Sequence, residues 1–273
     1  EMLERQRLEA WAGAYPPVRT PKRVLVVMAG NIPLVGFFDL LCVLASGHAC
    51  RVKPSSKDTV LIGYVVDLLR TIDPAIPLRM AEQGERLDAV IATGSDNANR
   101  YFRMLFGGIP SLLRGSRQSV AVLSGRETAA ELSGLEEDIF AYSGLGCRNV
   151  SLLFLPRGYM PELRCTALNE KYRRNYLRER ALLRMCRMPF VDLDGAVLCE
   201  DRSFPAALSR IHYTFYDSLA DVEAWLAAHD DRLQCVVSQC VRHSRRVAFG
   251  RAQHPGLTDY ADDVDTMRFL GTI

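Results

Sequence analysis

The sequence predicts an α/β protein with parallel β-sheets, arranged as two domains. Short runs of strand length each end in a turn, which often contains glycine, and are followed by a helical segment. This strand–turn–helix order occurs three times before residue 118, which predicts right-handed crossovers and a parallel sheet. A second series of strands and helices follows Gln118. With 273 residues, 48% of them hydrophobic, the chain is long enough for two modest domains with cores of their own.

The first domain contains the more regular series. An amphipathic helix near the N-terminus precedes RVLVVMAG, a continuous apolar run typical of a strand buried on both faces. GNIPLVG turns the chain into the helical segment FFDLLCVLASG. The remaining segments are the strand ACRVKPS, the helix DTVLIGYVVDLLRTI, the strand DAVIATGS and the helix NANRYFRMLFGG.

The second domain has the same kinds of element at wider spacing. Its predicted strands are SVAVLSG, VSLLFLP, a segment beginning IHYTFY, and QCVVSQCV. Helices are predicted from TAAELSGLEEDIFAYS, from a basic stretch that ends near Met188, and from the segment that includes ADVEAWLAAH. These patterns divide the chain into residues 1–117, residues 118–250 and a closing C-terminal segment, 251–273.

Composition excludes several classes of partner. The net charge is only +2, so nothing requires nucleic acid or an anionic membrane. The longest apolar stretch, Ile32 to Ser46, is interrupted by Pro33 and Gly36 and is too short to span a bilayer. The eight cysteines form no CxxC pair and lie at no metal-ligand spacing from histidine, so we expect no metal and a reduced, cytoplasmic protein. The chain begins at Glu1 without an initiator Met, and we expect a preceding segment to be missing.

Four short motifs are candidates for chemistry, and each is weak alone. GNIPLVG, VKPSS and ATGS follow strands of the first domain, where a glycine is more often simple turn chemistry than a ligand site. GNIPLVG does not fit the dinucleotide fingerprint G-x-G-x-x-G. In the second domain, GLGCRNVS places one cysteine in a glycine-flanked loop.

In this order, the motifs resemble those of the aldehyde dehydrogenase superfamily, and most closely its acyl-CoA reductase branch, which includes the fatty acid reductase of bacterial bioluminescence. The resemblance runs from about Arg23 to the C-terminus, where VAFGRAQHPGLTDYADDVDTMRFLGT is similar to the closing segment of that branch. It implies a Rossmann-like cofactor domain, 1–117, an α/β catalytic domain, 118–250, and an active site between them.

The resemblance also implies two catalytic residues. Cys147 corresponds to the nucleophile, and Gly144 and Gly146 permit a sharp turn that exposes its sulfur. The alternative is another buried structural thiol. Asn31 corresponds to the side-chain amide that stabilises the oxyanion together with the Cys147 backbone N–H. The alternative is that Asn31 is only a turn residue before Pro33.

The cofactor residues implied by the resemblance are Lys53, Ser56, Gly94 and Ser95. Lys53 ends a predicted strand, where open α/β sheets bind ligands, and suits ribose hydroxyls or a 2′-phosphate. NAD-preferring relatives commonly have a Glu at the place of Ser56, which repels a 2′-phosphate, so we expect NADPH rather than NADH. One departure is Asn99, which stands where the cofactor turn usually has Gly.

A second departure concerns water activation. Aldehyde-oxidising relatives place a general-base Glu where this chain has Leu113, in LLRGSRQSVAV. Without that carboxylate, an acyl-cysteine should survive until hydride or another thiol takes it. The basic helix KYRRNYLRERALLRMCR either contacts the phosphates of CoA or is a solvated helix face.

These expectations describe an NADPH-dependent reductase that converts an acyl-CoA, or an acyl-carrier thioester, into an aldehyde. One alternative is an NAD-dependent CoA-acylating aldehyde dehydrogenase that uses the same residues in the other direction. Another is a catalytically silent relative that serves as a binding subunit. We also expect a homo-oligomer.

Overall fold

A computed structural model describes residues 3–166 and 169–273. The chain forms two compact units. Unit 1 comprises the residues up to Ser116 together with Gly256–Ile273, and unit 2 comprises Arg117–Pro255. The C-terminal segment is therefore divided, and its last eighteen residues return to unit 1.

The regular elements are numbered here in chain order. The helices α1 to α8 are Arg5–Gly13, Phe37–Ala45, Thr59–Ile72, Asp96–Phe106, Ala129–Phe140, Glu170–Met185, Leu219–Ala228 and Thr266–Gly271. The strands β1 to β12 are Arg23–Val27, Ala49–Lys53, Leu78–Met80, Ala89–Thr93, Ser111–Arg114, Gln118–Val122, Val150–Pro156, Val191–Asp192, Val197–Glu200, Arg210–Tyr216, Leu233–Ser238 and Arg246–Val247.

Unit 1 is a five-stranded, wholly parallel sheet in the order β3-β2-β1-β4-β5. The central strands β1 and β4 are nearly continuous apolar runs because helices cover both faces. On one face, α1, α2, α3 and α8 bury residues such as Trp11, Leu40 and Ile62. On the other face, α4 packs Phe102 and Phe106 against Leu25 and Val90. The predicted α/β class and parallel sheet are confirmed.

Polar contacts fasten the C-terminal segment within unit 1. His48 is fully buried, and its Nδ1 accepts from the Lys22 N–H at 3.0 Å. Its Nε2 therefore carries the proton and donates to the Leu270 carbonyl at 2.9 Å. The Arg114 guanidinium forms a buried ion pair with Asp39 and donates to Thr266 Oγ1 at 2.6 Å. These contacts join α8 to two parts of unit 1 that are far from it in the sequence.

Unit 2 is a seven-stranded sheet in the order β12-β11-β6-β7-β10-β9-β8. All of its pairings are parallel except β8 with β9, which is antiparallel. The helix α5 begins with a capping box: Thr128 Oγ1 accepts from the Glu131 N–H, and the Glu131 carboxylate accepts from the Thr128 N–H. It ends at Phe140, just before the glycine-flanked cysteine loop.

Candidate active site

In unit 1, five of the predicted site residues lie in loops or strand ends at the carboxyl edge of the sheet. The chain runs outward from β1 through β2 to β3 and then returns to β4 and β5 on the other side of β1. Such a reversal is a topological switch point, and ligands of open α/β sheets bind outside the carboxyl ends of the strands there. Lys53 and Ala92 are both register partners of Val27, which sets their backbones about 10 Å apart.

The loop that carries Asn31 packs closely on the loop after β2. A Cβ at Gly30 would collide with the Ser55 side chain, so only glycine permits this approach. Leu34, which has a φ of 57°, donates its N–H to Asp58 Oδ2 at 2.7 Å. The Asp58 side chain is buried, with 5% exposed, and its bond to the Leu34 N–H holds the turn that contains Asn31. Asn31 itself is exposed in this turn.

The two polar side chains predicted for the ribose are both accessible. Lys53 is the last residue of β2 and is exposed, and it forms no ion pair with any described residue. Ser56 is exposed three residues later, immediately before Lys57, which is also exposed. A neutral hydroxyl between two ammonium groups makes this corner electropositive.

The turn after β4 leads directly into α4. Ser95 is the N-cap, and its Oγ accepts from the Ala98 N–H at 3.3 Å. A Cβ at Gly94 would lie 2.9 Å from the Ala98 Cβ, so glycine is required for the sharp entry into the helix. Asn99, the departure from the family pattern, is 5% exposed and faces away from solvent toward Gly115. It is buried inside the turn, below the surface that Gly94 and Ser95 form.

In unit 2, Cys147 lies between α5 and β7, at the amino end of β7. Three consecutive residues before it, Tyr142, Ser143 and Gly144, have φ values of 51°, 56° and 64°. For two non-glycine residues in succession this is an uncommon, costly conformation, and such backbone is concentrated at functional sites. The reversal carries the chain outward, and Cys147 is exposed.

Asn149 holds this loop together. Its buried Nδ2 donates to the carbonyls of Asp138 at 3.2 Å, Ile139 at 3.1 Å and Ala141 at 2.9 Å, which lie at the C-terminal end of α5. Its Oδ1 accepts from the Gly146 N–H at 2.8 Å. A Cβ at Gly146 would lie 3.0 Å from that oxygen, so the glycine next to Cys147 gives this bond room.

A second support reaches Cys147 from the sheet. Ser119 Oγ, on β6, donates to the Cys147 carbonyl at 2.9 Å. The same hydroxyl lies 3.1 Å from the Sγ of Cys235 on β11 and accepts from the Cys235 N–H at 3.2 Å. The backbone of Cys147 is thus anchored to two neighbouring strands.

Most other cysteines are unsuited to nucleophilic chemistry. Burial raises the pKa of the Cys50 thiol to about 12 and that of Cys235 to about 11. It also raises the thiol pKa of Cys42, Cys165 and Cys199. Only Cys147 and Cys186 are exposed among the eight. Cys186 is the C-cap of α6, whereas Cys147 lies in the loop held by Asn149 and Ser119.

A cavity of about 190 Å³ adjoins the loop of Cys147. Gly144 and Gly146 form part of its wall, which combines polar and apolar residues. The polar lining residues are Gln118, Asn149, Ser151, Ser209 and Arg210, and the apolar ones are Ile139, Val150, Tyr172, Pro205, Ala206, Ala207, Leu208 and Ile211.

Leu113, predicted at the place of the general base, is a partly buried residue of β5 that packs in the core beneath α4. The neighbouring Arg114 forms a buried ion pair with Asp39. A carboxylate that sequence reasoning missed is Asp138, buried in α5, which accepts from the Gly250 N–H at 2.7 Å and the Ala252 N–H at 2.9 Å. Burial raises its pKa to about 6 despite these two bonds. Asp138 fixes the segment after β12 and is fully enclosed.

The predicted site residues therefore fall into two groups. Lys53, Ser56, Gly94 and Ser95 share the carboxyl edge of unit 1 with Asn31, whereas Cys147 belongs to unit 2. Within residues 3–166 and 169–273, no cluster of His, Cys, Asp and Glu is suited to a metal ion. No helix in these ranges is long and apolar enough to cross a membrane.

Comparisons with protein-family models and with curated proteins find no match. Solved structures do match. An aldehyde dehydrogenase of Mycobacterium tuberculosis complexed with NAD+ superposes with a TM-score of 0.61 at 16% identity, over 81% of this chain and 57% of that one. The NAD+ complex of an aldehyde dehydrogenase from Bacillus cereus gives a TM-score of 0.62 at 14% identity, over 86% and 62% of the two chains. A mutant aldehyde dehydrogenase C from Pseudomonas syringae, complexed with NAD+ and octanal, gives 0.60 at 15% identity, over 80% and 57%.

These similarities establish an aldehyde dehydrogenase-like fold with a Rossmann-like unit, as the sequence predicts. The chain spans about three fifths of the length of these three structures.

Proposed function

We propose that this chain reduces an acyl-CoA to the corresponding aldehyde with NADPH, through a covalent acyl intermediate on Cys147. In this proposal unit 1 binds the dinucleotide and unit 2 carries the acyl group. The observation that carries it is the exposed Cys147 in a strained loop braced by Asn149 and Ser119. The aldehyde dehydrogenase-like fold supports oxidoreductase chemistry at that cysteine.

The residues of unit 1 suit a dinucleotide. Gly30 and Gly94 permit close-packed turns at the carboxyl edge of β1 and β4, where a Cβ would collide with Ser55 or Ala98. Lys53 and Lys57 supply positive charge beside the neutral Ser56, which favours a 2′-phosphate on the ribose. The solved aldehyde dehydrogenases with bound NAD+ support a nicotinamide cofactor, and the preference for NADPH follows from these three side chains.

Acyl transfer begins with attack of the Cys147 thiolate on the thioester carbonyl. A bond forms between Sγ and the carbonyl carbon, the bond to the CoA sulfur breaks, and the CoA thiolate leaves with the electron pair. Negative charge develops on the carbonyl oxygen, where the Cys147 N–H and the Asn31 amide would donate hydrogen bonds. NADPH, when bound, supplies the hydride that reduces the acyl carbon, and cleavage of the Sγ–carbon bond then releases the aldehyde and regenerates the thiolate.

Protection of the acyl group from water distinguishes a reductase from a hydrolytic dehydrogenase. Leu113 stands where the relatives have their general base, and Arg114 and Arg117 cannot take a proton from water because guanidinium stays protonated. The apolar residues of the cavity beside Gly144 and Gly146, among them Ile139 and Ile211, offer a place for the hydrocarbon chain. Both features favour reduction over hydrolysis.

The proposal is tested by incubating the protein with acyl-CoAs of several lengths and with NADPH or NADH. We expect absorbance loss of the reduced cofactor, faster with NADPH, and stoichiometric aldehyde trapped as a hydrazone. Cys147→Ala should abolish the reaction, whereas Cys186→Ala should leave it unchanged. Faster turnover of aldehyde, CoA and NAD+ to acyl-CoA would instead identify a CoA-acylating aldehyde dehydrogenase.

A further inference from the structure

The exposed face of α6 is strongly basic and has no role in the chemistry described above. The helix carries six cationic side chains and only two carboxylates. One carboxylate, Glu179, is 3% exposed and is paired with Arg210 at 2.5 Å. The other, Glu170, is exposed and pairs with Arg174 at 2.5 Å. Arg173 and Arg184 are exposed and form no ion pair with any described residue.

Apolar side chains lie among these cations. Leu177, Ala181 and Met185 follow one another at a spacing of four along the outward side, and Met188 follows just after the helix ends. Met185 is 79% exposed and Met188 is 52% exposed. The opposite side of α6 packs Tyr172, Tyr176 and Leu183 into unit 2, so the outward apolar line is separate from the core. An exposed line of Leu and Met bordered by arginines is typical of a protein-binding surface.

The same helix begins at the nucleophile loop. Its N-cap, Asn169, donates its N–H to Ser143 Oγ at 3.3 Å. Tyr172, in the first turn, packs against Gly144, three residues before Cys147. A partner lying along α6, which is about 24 Å long, would therefore have one end beside the cysteine loop.

We infer that the exposed face of α6 is the docking surface for an acidic acyl carrier protein, which delivers its thioester to Cys147. This inference rests on the proposed function and adds the carrier protein as a donor of the acyl group beside free acyl-CoA. An acidic helix of the carrier would pair with Arg173, Arg178 and Arg184, and its apolar residues would cover Leu177 and Met185. The thioester arm would then extend toward the start of α6.

Charge and apolar character together favour this partner over two others. The phosphates of free CoA would engage a few cations at one place, and they leave the exposed Leu177 and Met185 uncovered. A bilayer requires a broad apolar face, whereas the bulky exposed apolar residues of α6, Leu177, Leu182 and Met185, are interspersed with arginines. A folded acidic protein matches both the length of α6 and its mixture of basic and apolar side chains.

Binding can be measured without turnover, by fluorescence anisotropy of a dye-labelled recombinant acyl carrier protein in its decanoyl form. We expect saturable binding that weakens when salt is raised, because exposed charge pairs are screened. Arg173→Glu with Arg184→Glu should raise Kd about tenfold or more, and Met185→Gln should raise it severalfold. The matched control, Arg126→Glu with Arg242→Glu, makes the same change in net charge elsewhere in unit 2 and should stay within about twofold.

An unchanged Kd in the α6 variant, or an equal loss in the control, would overturn the inference. So would absence of carrier binding, including the case in which the protein binds vesicles of phosphatidylcholine and phosphatidylglycerol or a DNA duplex instead. Turnover of decanoyl-pantetheine, which lacks the carrier, tests the proposed function separately. If the wild type and the α6 variant reduce it equally while only the wild type binds the carrier, both proposals stand. If it is not reduced but carrier binding depends on α6, only the proposed function fails.

Discussion

Replacing Asn149 by Ala should destabilise unit 2 and loosen the loop that carries Cys147. The two amide hydrogens satisfy carbonyls at the end of α5, and the amide oxygen accepts from the Gly146 N–H. The substitution removes three effective hydrogen bonds, each contributing about 1 kcal/mol, and leaves partly buried groups without partners. We expect a loss of about 3–4 kcal/mol in the free energy of unfolding.

Urea unfolding measures this loss in unit 2 alone if Trp225 is the reporter. The chain has two tryptophans, and Trp11→Phe removes the one in unit 1. Asn175→Ala, which removes one exposed amide contact to the Lys171 carbonyl, is the matched control and should change stability by less than about 0.5 kcal/mol. The rate of Cys147 alkylation by iodoacetamide should also change in Asn149→Ala. An equal, small effect of both substitutions, with an unaltered alkylation rate, would refute the account of this loop.

Three further substitutions test the cofactor edge and the buried charges. Ser56→Glu should weaken NADPH binding by roughly 1–3 kcal/mol through repulsion of the 2′-phosphate and should leave NADH binding nearly unchanged, which calorimetric titration can measure. Asp39→Asn leaves the buried Arg114 without its counter-charge and should cost about 3–5 kcal/mol in urea unfolding, against less than about 1 kcal/mol for the exposed control Glu82→Gln. Burial raises the pKa of Asp138 to about 6 in the folded protein. The neutral carboxyl therefore contributes fully to stability below about pH 4, near the ordinary pKa of Asp. This contribution is lost as the pH rises through 6. The difference in unfolding free energy between wild type and Asp138→Asn should therefore shift by roughly 2–3 kcal/mol between pH 4 and pH 7, and a constant difference would contradict the raised pKa.

The long elements of the fold could be predicted because their patterns are local. β1, β4 and β7 are continuous apolar runs, and α3 and α5, which follow β2 and β6, have helical periodicity. The short strands β3, β5, β8, β9 and β12 are not apparent in the sequence, because two to four residues carry no periodicity and pair only through the sheet. The return of α8 to unit 1 also depends on distant partners, such as Arg114 and His48.

In the candidate site, too, local motifs could be predicted and contacts between distant residues could not. The position of Cys147 in an exposed glycine loop followed from its motif, and the structure places it so. The residues that brace it were not found, because Ser119 and Asn149 carry no motif and act through contacts that only the folded chain creates. Asp58 and Asp138 were missed for the same reason. The cofactor assignment of Lys53, Ser56, Gly94 and Ser95, and the pairing of Asn31 with Cys147, stay predictions.

The central claim is that Cys147 carries the acyl group and that water does not remove it. Intact-mass spectrometry after incubation with decanoyl-CoA, without reduced cofactor, tests this most directly. We expect the protein to gain one decanoyl group, on wild type and Cys186→Ala but not on Cys147→Ala, and to lose it when NADPH or excess CoA is added. Rapid hydrolysis of decanoyl-CoA with no adduct, or an adduct that persists in Cys147→Ala, would contradict the account.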